Sequence, residues 1–188
     1  ADQMINDSIV HQHIHRIAER FQLVMILEYI NESLVLLKRK LCWSLHDVAH
    51  FQFLKYATKR EKLPQEFKEK IKKHNRADLK LYEYFNKTFW KQVQVEGPDF
   101  FTEVEELKKM GKDLKKQCIG QVKISKAFAQ TYSKVETHEI RTNISGSAKE
   151  KCCRMVREEH NYILHHRLRQ TPGLSKFLSK FTCLEYKN

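Results

Sequence analysis

Residues 21–43, FQLVMILEYINESLVLLKRKLCW, constrain the fold more than any other stretch, because an apolar run meets a polar elbow and then an amphipathic pattern. Phe21, Leu23, Val24, Met25, Ile26 and Leu27 form a nearly unbroken apolar run of strand length. Such a run suits a strand covered on both faces, as in a parallel sheet flanked by helices. At residues 28–33 the chain turns polar. Asn31 is typed as a helix N-cap, and Glu32 stands where the helix dipole favours an acid. Leu34, Leu37, Leu41, Leu45 and Val48 then recur at spacings of three and four, predicting one helix with Lys38, Arg39 and Lys40 off its apolar stripe. The fold class expected is α/β. In an open α/β sheet ligands sit outside the carboxyl ends of strands, which points to Glu28 and Glu32. The same pattern equally describes a corner that only joins two elements.

With 188 residues the chain has the length of one domain with a real core, and 41% hydrophobic content excludes a disordered chain. Lys and Arg number 35 against 23 Asp and Glu, a net charge of +12 that calls for an anionic partner or a basic solvated surface. Nucleic acid, acidic membrane, an acidic glycan and a nucleotide cofactor all fit that sign. No apolar run approaches the roughly 20 residues that span a bilayer, and the first residues do not read as a signal peptide. Starting at Ala1 and passing at once into the pattern Ile9, Ile14, Ile17, the chain reads as a piece of something longer.

Phe51, Phe53 and Tyr56 beside Lys55, Lys59 and Arg60 suggest a short extended piece and a basic loop before Pro64. One long helix is expected over residues 65–93, with Phe67, Ile71, Tyr82, Phe85 and Phe89 on one face. Asn75 and Asp78 fall on that face too, which asks for a basic partner or a polar site. Gly97-Pro98-Asp99 should open another helix with Phe100, Val104, Leu107, Leu114 and Cys118 inward. Residues 120–149 read as loop. A helix near Glu150 should carry Cys152, Met155, Val156, Tyr162 and Ile163 and stop at Thr171-Pro172-Gly173, before a short docked helix over 174–188.

Phosphate-binding glycine loops are absent, and the five glycines at 97, 111, 120, 146 and 173 are scattered. His11, His13 and His15 share a helical pattern, but no acid or Cys at matching spacing completes a metal site. Five cysteines, at 42, 118, 152, 153 and 183, contain no C-x-x-C pair. Because neighbours rarely bond each other, Cys152 or Cys153 should seek a distant partner in an oxidising compartment. Four sequons, at Asn6, Asn31, Asn86 and Asn143, lean toward the secretory pathway. Asn31 is better explained as a cap, whereas Asn86 and Asn143 are the glycosylation candidates, Asn143 in a Ser/Gly/Thr-rich stretch.

Glu28-Tyr29, then Glu32-Ser33-Leu34-Val35-Leu36-Leu37, Leu41-Cys42-Trp43 and Asp47-Val48 closely resemble the galactose 3-O-sulfotransferase family, which includes the galactosylceramide sulfotransferases. Asn75, Asp78, Leu81-Tyr82, Phe85-Asn86 and Phe89-Trp90 are similar to that family's W-N-x-x-D-x-x-L-Y-x-x-F-N-x-x-F-W run. Glu103-Val104, Leu107, Cys118, Cys152-x-x-Met155 and Tyr162 continue the resemblance, which covers roughly residues 11 to 165.

The resemblance implies a Golgi type II membrane enzyme of P-loop-like sulfotransferase fold, moving a sulfuryl group from 3'-phosphoadenosine 5'-phosphosulfate to the 3-hydroxyl of a terminal galactose on glycolipid or glycoprotein. It implies no metal and no nucleic-acid partner, and it is compatible with a homo-oligomer. It also implies that the main cofactor loop and the membrane anchor lie upstream, so that residues 1–188 form the C-terminal part of one sulfotransferase domain, inactive alone. Glu28 and Glu32 are then the candidates for the sugar, and Lys55, Lys59 and Arg60 for phosphate, while the catalytic base is not assigned. The chain departs from the family where F-K-L-N-A-R is replaced by Phe51-Gln52-Phe53-Leu54-Lys55-Tyr56, and where His74 replaces Trp. Those departures also admit a noncatalytic relative, and the charge alone admits a basic module for acidic glycans or nucleic acid. From the family's cysteines, Cys118 and Cys152 are expected to bond, leaving Cys153 extra and Cys42 packed beneath a helix.

Overall fold

In a computed structural model the described residues are 6–51, 62–125, 135–156 and 159–171. The first helix, α1 (Asp7–Arg20), begins where Asn6 accepts a hydrogen bond from the Ser8 N–H at 2.9 Å, with Asp7 in the first turn and Arg20 in the last. Val10 and Ile14, four apart, are its buried residues. Asp7 ties α1 to α5 (Arg76–Gln94) through Arg76 at 2.7 Å and Lys80 at 2.6 Å, and His15 meets the Tyr84 ring edge-on.

After α1 the chain is extended at Phe21 and Ile26, yet it forms no strand. The expected strand fails for a physical reason: a strand exists by exchanging backbone hydrogen bonds with a neighbour, and no described segment exchanges them with residues 23–25. A 3-10 turn (Leu27–Tyr29) leads into α2 (Ile30–Lys40). Tyr29 holds the cap position, so Asn31 sits inside the first turn instead of capping it. The helix stops well short of Val48. Trp43 N–H reaches the Lys38 carbonyl at 2.9 Å and Cys42 N–H the Arg39 carbonyl at 3.4 Å, with Cys42 at φ 54. This is a Schellman ending with Cys42 in the left-handed position usually given to glycine. A separate short helix, α3 (Leu45–Val48), follows, started by a capping box of Ser44 and Asp47.

The buried residues of α2 are Ser33, Val35 and Leu36, not the Leu34, Leu37 and Leu41 stripe. Arg39 continues that buried side, four from Val35 and three from Leu36, because Glu96, Asp99 and Glu103, just before and within a later helix, neutralise it. Residues 65–93 form two helices instead of one. α4 (Gln65–His74) ends where the Asn75 side chain and backbone N–H both bond the Ile71 carbonyl, at 2.8 and 2.9 Å, and α5 begins at once. α4 buries nothing, with Phe67 55% and Ile71 48% exposed, so the apolar face narrows to Phe85, Phe89 and Val93 on α5. Asp78 is exposed, and the expected buried ion pair has no reason to form. The next helix, α6 (Phe100–Cys118), buries Phe100, Val104, Leu107, Leu114 and Cys118 as its spacing predicts.

Residues Ala1–Ala49 and Arg60–Lys109 form one compact unit, and His50–Lys59 with Met110–Asn188 a second. In the first, Val35, Leu36, Phe85, Phe89, Val93, Phe100, Val104 and Leu107 make one continuous core, joined by Ile26 and Val48. In the second, two strands replace the expected loop: β1 (Ile119–Ser125) pairs antiparallel with β2 (Val135–Ile140), Val122 opposite His138, with an irregularity between Ile119 and Gln121. Alternation at Val122, Ile124, Val135 and Thr137 favours the pairing, since β-branched residues suit a pleated surface. Gly111 is required by a close approach in this unit, for an added Cβ would lie 2.4 Å from the His50 carbonyl oxygen.

α7 (Gly146–Val156) and α8 (Glu159–Gln170) follow, α8 stopping just before Thr171 where a break is expected. The expected 174–188 helix lies outside the described residues. The chain as described is mostly helical with a two-stranded sheet, consistent with an α/β class.

Candidate functional site

The elbow at residues 26–33 is held by one side chain. The Ser33 hydroxyl donates to the Ile26 carbonyl at 3.2 Å and accepts from the Ile26 N–H at 3.0 Å, fully buried, so both backbone groups that end the extended run are satisfied by the start of α2. Tyr29, one turn on, stacks on Phe89 at 5.9 Å and meets Trp90 edge-on at 4.8 Å. These contacts fix the backbone that carries Glu28 and Glu32.

The two carboxylates have different partners. Glu28 is exposed and lies close to Tyr82; burial first, and then the charge of Glu28, push the Tyr82 phenol above its ordinary range. Glu32 is 17% exposed, and its carboxylate lies 4.0 Å from Lys108 Nζ, which also binds Glu105 at 2.8 Å. The hydrogen bond that Lys108 donates to Glu105 holds its ammonium above the usual range against the cost of burial. Glu28 with Tyr82 therefore presents an open acceptor beside an aromatic surface, a combination that can take hydroxyl groups and the apolar face of a sugar ring. Glu32 is a half-neutralised carboxylate facing a lysine. Tyr82 was legible only as part of a helical apolar face; its hydroxyl is the feature that periodicity misses.

A larger polar cluster ties α2 to α6. Arg39 donates to the Glu96 carbonyl at 2.6 Å and its carboxylate at 3.1 Å, to Asp99 at 2.8 Å and to Glu103 at 3.1 Å, while its guanidinium lies 5.4 Å from the centre of the Phe100 ring. Lys38 donates to Glu103 at 2.7 Å. Glu96, Asp99 and Glu103 recur at spacings of three and four, and that acidic row is the signal that could have assigned Lys38 and Arg39 to the buried side. The cluster bears on cofactor fit. A phosphate seeks open N–H groups and free cations at a helix start, but the start of α6 is occupied by Asp99 and Glu103, already bridged by Arg39. Thus the start of α6 does not fit a phosphosulfate. The proposed phosphate ligands Lys55, Lys59 and Arg60 lie outside the described residues.

Cys118 and Cys152 form a disulfide with Cα atoms 5.2 Å apart. Cys153 is disulfide-bonded as well and not left over, and Cys42 is exposed at the end of α2 instead of packed beneath it. Its left-handed turn carries the side chain outward. Asn143 is exposed in the turn before α7, open to an oligosaccharide. Asn86 lies within α5 with its side-chain oxygen buried, and the hydroxyl of its sequon partner Thr88 donates to the Tyr84 carbonyl at 2.9 Å. Asn6 is the cap of α1. Among the described residues no group of His, Cys, Asp and Glu could hold a metal ion, and no helix is long and apolar enough to cross a membrane.

The galactose-3-O-sulfotransferase family model matches residues 1–170. The chain is 30% identical over 170 residues to the mouse (Mus musculus) galactosylceramide sulfotransferase, covering 82% of this chain and 40% of that protein. It is 37% identical over 116 residues to the human (Homo sapiens) galactose-3-O-sulfotransferase 2, covering 60% of this chain and 29% of that protein. The Bos taurus galactose-3-O-sulfotransferase 3 is 30% identical over 164 residues, 79% of this chain and 38% of that protein. The chain thus spans well under half the length of these relatives, and no solved structure matches it. With a match reaching from residue 1 to residue 170, across both compact units, the chain belongs to the galactose-3-O-sulfotransferase family.

Proposed function

We propose that these residues are the C-terminal part of a sulfotransferase domain that transfers a sulfuryl group from 3'-phosphoadenosine 5'-phosphosulfate to the 3-hydroxyl of galactose on a glycolipid or glycoprotein. The family match over residues 1–170 carries this reading. In the net reaction sulfur exchanges its bond to the donor's 5'-phosphate oxygen for one to the galactose oxygen, and the hydroxyl proton is given up. Glu28, held open beside Tyr82, accepts acceptor hydroxyls, and Glu32 with Lys108 borders the same elbow. Lys55, Lys59 and Arg60 bind donor phosphate. The base and the main phosphosulfate loop belong to sequence outside this chain, so that residues 1–188 alone are inactive. The protein works on the lumenal side of the Golgi membrane, as a type II protein anchored by a segment not contained here; the disulfide at Cys118 and Cys152 supports an oxidising compartment, and Asn143 is its glycan site.

Transfer of labelled sulfate to galactosylceramide tests this. The 188-residue chain should give none, and the protein encoded together with its upstream coding sequence should give product. In that longer protein Glu28→Gln should raise KM for the acceptor about tenfold, the value of one lost hydrogen bond to a charged group, with kcat nearly unchanged. An initiator Met directly before residue 1, or stabilisation of the chain by DNA but not by 3'-phosphoadenosine 5'-phosphate, would overturn the reading.

A further inference from the structure

Every residue from Lys62 to Arg76 is exposed, and α4 makes up most of that stretch. Its 10 residues fall short of the roughly 12–15 at which an isolated helix persists in water, so a helix of this length normally draws its stability from burying one face. α4 has such a face and buries none of it. Leu63, Phe67 and Ile71 recur every fourth residue, at 53%, 55% and 48% exposure, and make one apolar line with a single side chain per turn.

The border of that line is basic. Lys68, one position past Phe67, and Lys70, one before Ile71, fall on its two sides by helical spacing. Lys70 runs along it, with Nζ 5.7 Å from the centre of the Phe67 ring and 2.6 Å from Glu66, while Lys72 binds Glu69 at 3.1 Å. Both acids of the helix are thus neutralised from within it, and Lys68 and Lys73 leave it a net positive charge. This composition fits one kind of surface better than another. The centre of a protein interface is depleted of lysine and glutamate, and a helix packed in a core shows an apolar stripe wider than one side chain per turn. A narrow apolar line bordered by lysines suits a helix lying in the plane of a lipid–water boundary, with lysine stems on the apolar surface and ammonium groups among the headgroups.

We propose that α4 docks on a lipid bilayer carrying anionic headgroups, with Leu63, Phe67 and Ile71 inserted at the headgroup boundary and Lys68 and Lys70 facing the negative charge. The use of this contact rests on the glycolipid acceptor proposed above. A galactose joined directly to its lipid stands one sugar above the bilayer, so the site that receives it must come down to the surface. Within the same compact unit α4 passes through Asn75 straight into α5, and Tyr82, close to Glu28, stands roughly 10 Å along α5 from that junction. α4 therefore anchors the helix that carries Tyr82 near its start. Sulfation turns the acceptor into an anionic lipid, so the reaction itself supplies the charge that α4 favours.

Flotation of the 188-residue chain with phosphatidylcholine vesicles containing phosphatidylserine tests this. The chain should float with them, and the amides of residues 66–74 should exchange about tenfold more slowly on the vesicles, with the α5 amides around Phe89 unchanged. Phe67→Ser combined with Ile71→Ser keeps the charge and removes two exposed side chains, so the urea midpoint should hold while vesicle affinity falls at least about tenfold. Lys68→Gln should lower affinity about fivefold, and Phe67→Leu should retain it. Because the chain is basic overall, vesicle binding that survives the double substitution would come from charge elsewhere and overturns the proposal. Protection of α4 without vesicles in the longer protein would assign the face to the upstream polypeptide, and a dimer in sedimentation that the double substitution abolishes would assign it to a second copy; either overturns it equally. In the longer protein the double substitution should raise KM about tenfold for galactosylceramide in vesicles and leave KM for a soluble galactoside unchanged. A chain that does not float overturns the docking even where sulfate transfer is found, whereas flotation without transfer by the longer protein overturns the catalytic reading alone.

Discussion

The two compact units hold themselves together by different means. In the first, aromatic and branched residues from α2, α5 and α6 bury one continuous core, with Phe89 and Phe100 nearly inaccessible. In the second, the apolar cluster around Cys118, Ile119 and Cys152 is small, with Phe51, Ile140, Ile144 and Val156 only half-buried against it, and a disulfide runs through its centre. A chain that can bury many large side chains needs no covalent tie, while one that buries few gains more from restricting its unfolded state. Phe89→Ala is the strongest way to break that contrast. Removing a ring that is 1% exposed should cost about 3–5 kcal/mol, read as a lower urea midpoint for helix loss in the first unit. A cost under about 1 kcal/mol would mean that this core is not what stabilises it.

The second unit should respond to its cross-link. Replacing Cys118 and Cys152 together by alanine opens a loop of sequence separation 34 and should cost about 2–4 kcal/mol. Hydrogen exchange at the paired backbone of β1 and β2 should accelerate, with the α5 amides around Phe89 unchanged. Equal acceleration in both places would show that the disulfide stabilises the chain as a whole, and the contrast would dissolve.

What could be read from the sequence follows from which forces are local. The α6 stripe from Phe100 to Cys118 was fully legible, since spacing alone decides which side of a long helix is apolar. The strand pair of β1 and β2 was not, because six or seven residues with weak alternation become strands only when a partner segment is in place. Conversely the run from Phe21 to Leu27 has every local mark of a strand and forms none among the described residues, since hydrogen-bond partners are a non-local requirement. At the elbow, Glu28 and Glu32 were legible as charged residues at a turn, yet their partners Tyr82 and Lys108 come from α5 and α6 and carry no local signal. The break at Asn75 was hidden by a helical pattern that continues through it, and only its side chain turning back on Ile71 reveals the stop. The cysteine pairing came from family resemblance, and spacing had left it open.

The cluster linking α2 to α6 sharpens the comparison within the first unit, by asking how much ion pairing adds to a core already well packed. Burial opposes ionisation of Glu103, but the hydrogen bonds from Lys38 and then Arg39 outweigh it and hold its carboxyl below the ordinary value of 4.5. A carboxylate whose folded-state pKa is depressed releases its proton more readily in the folded state, so the unfolded chain binds more protons in that range. Its contribution is therefore fully present above pH 4.5 and disappears as pH falls through the depressed value. Glu103→Gln should lower stability by about 1 kcal/mol at neutral pH, the order expected for a partly buried charged hydrogen bond net of screening, and should flatten this acid-side loss. Arg39 is always protonated, so Arg39→Met removes the same coupling without a titration of its own and should also flatten the slope below pH 4.5. Urea midpoints of the three proteins between pH 3 and 7, analysed by linkage, measure it. If the wild type and Glu103→Gln keep parallel slopes, the core alone carries this unit, and the row of Glu96, Asp99 and Glu103 serves to set the register of α2 on α6 without adding to its stability.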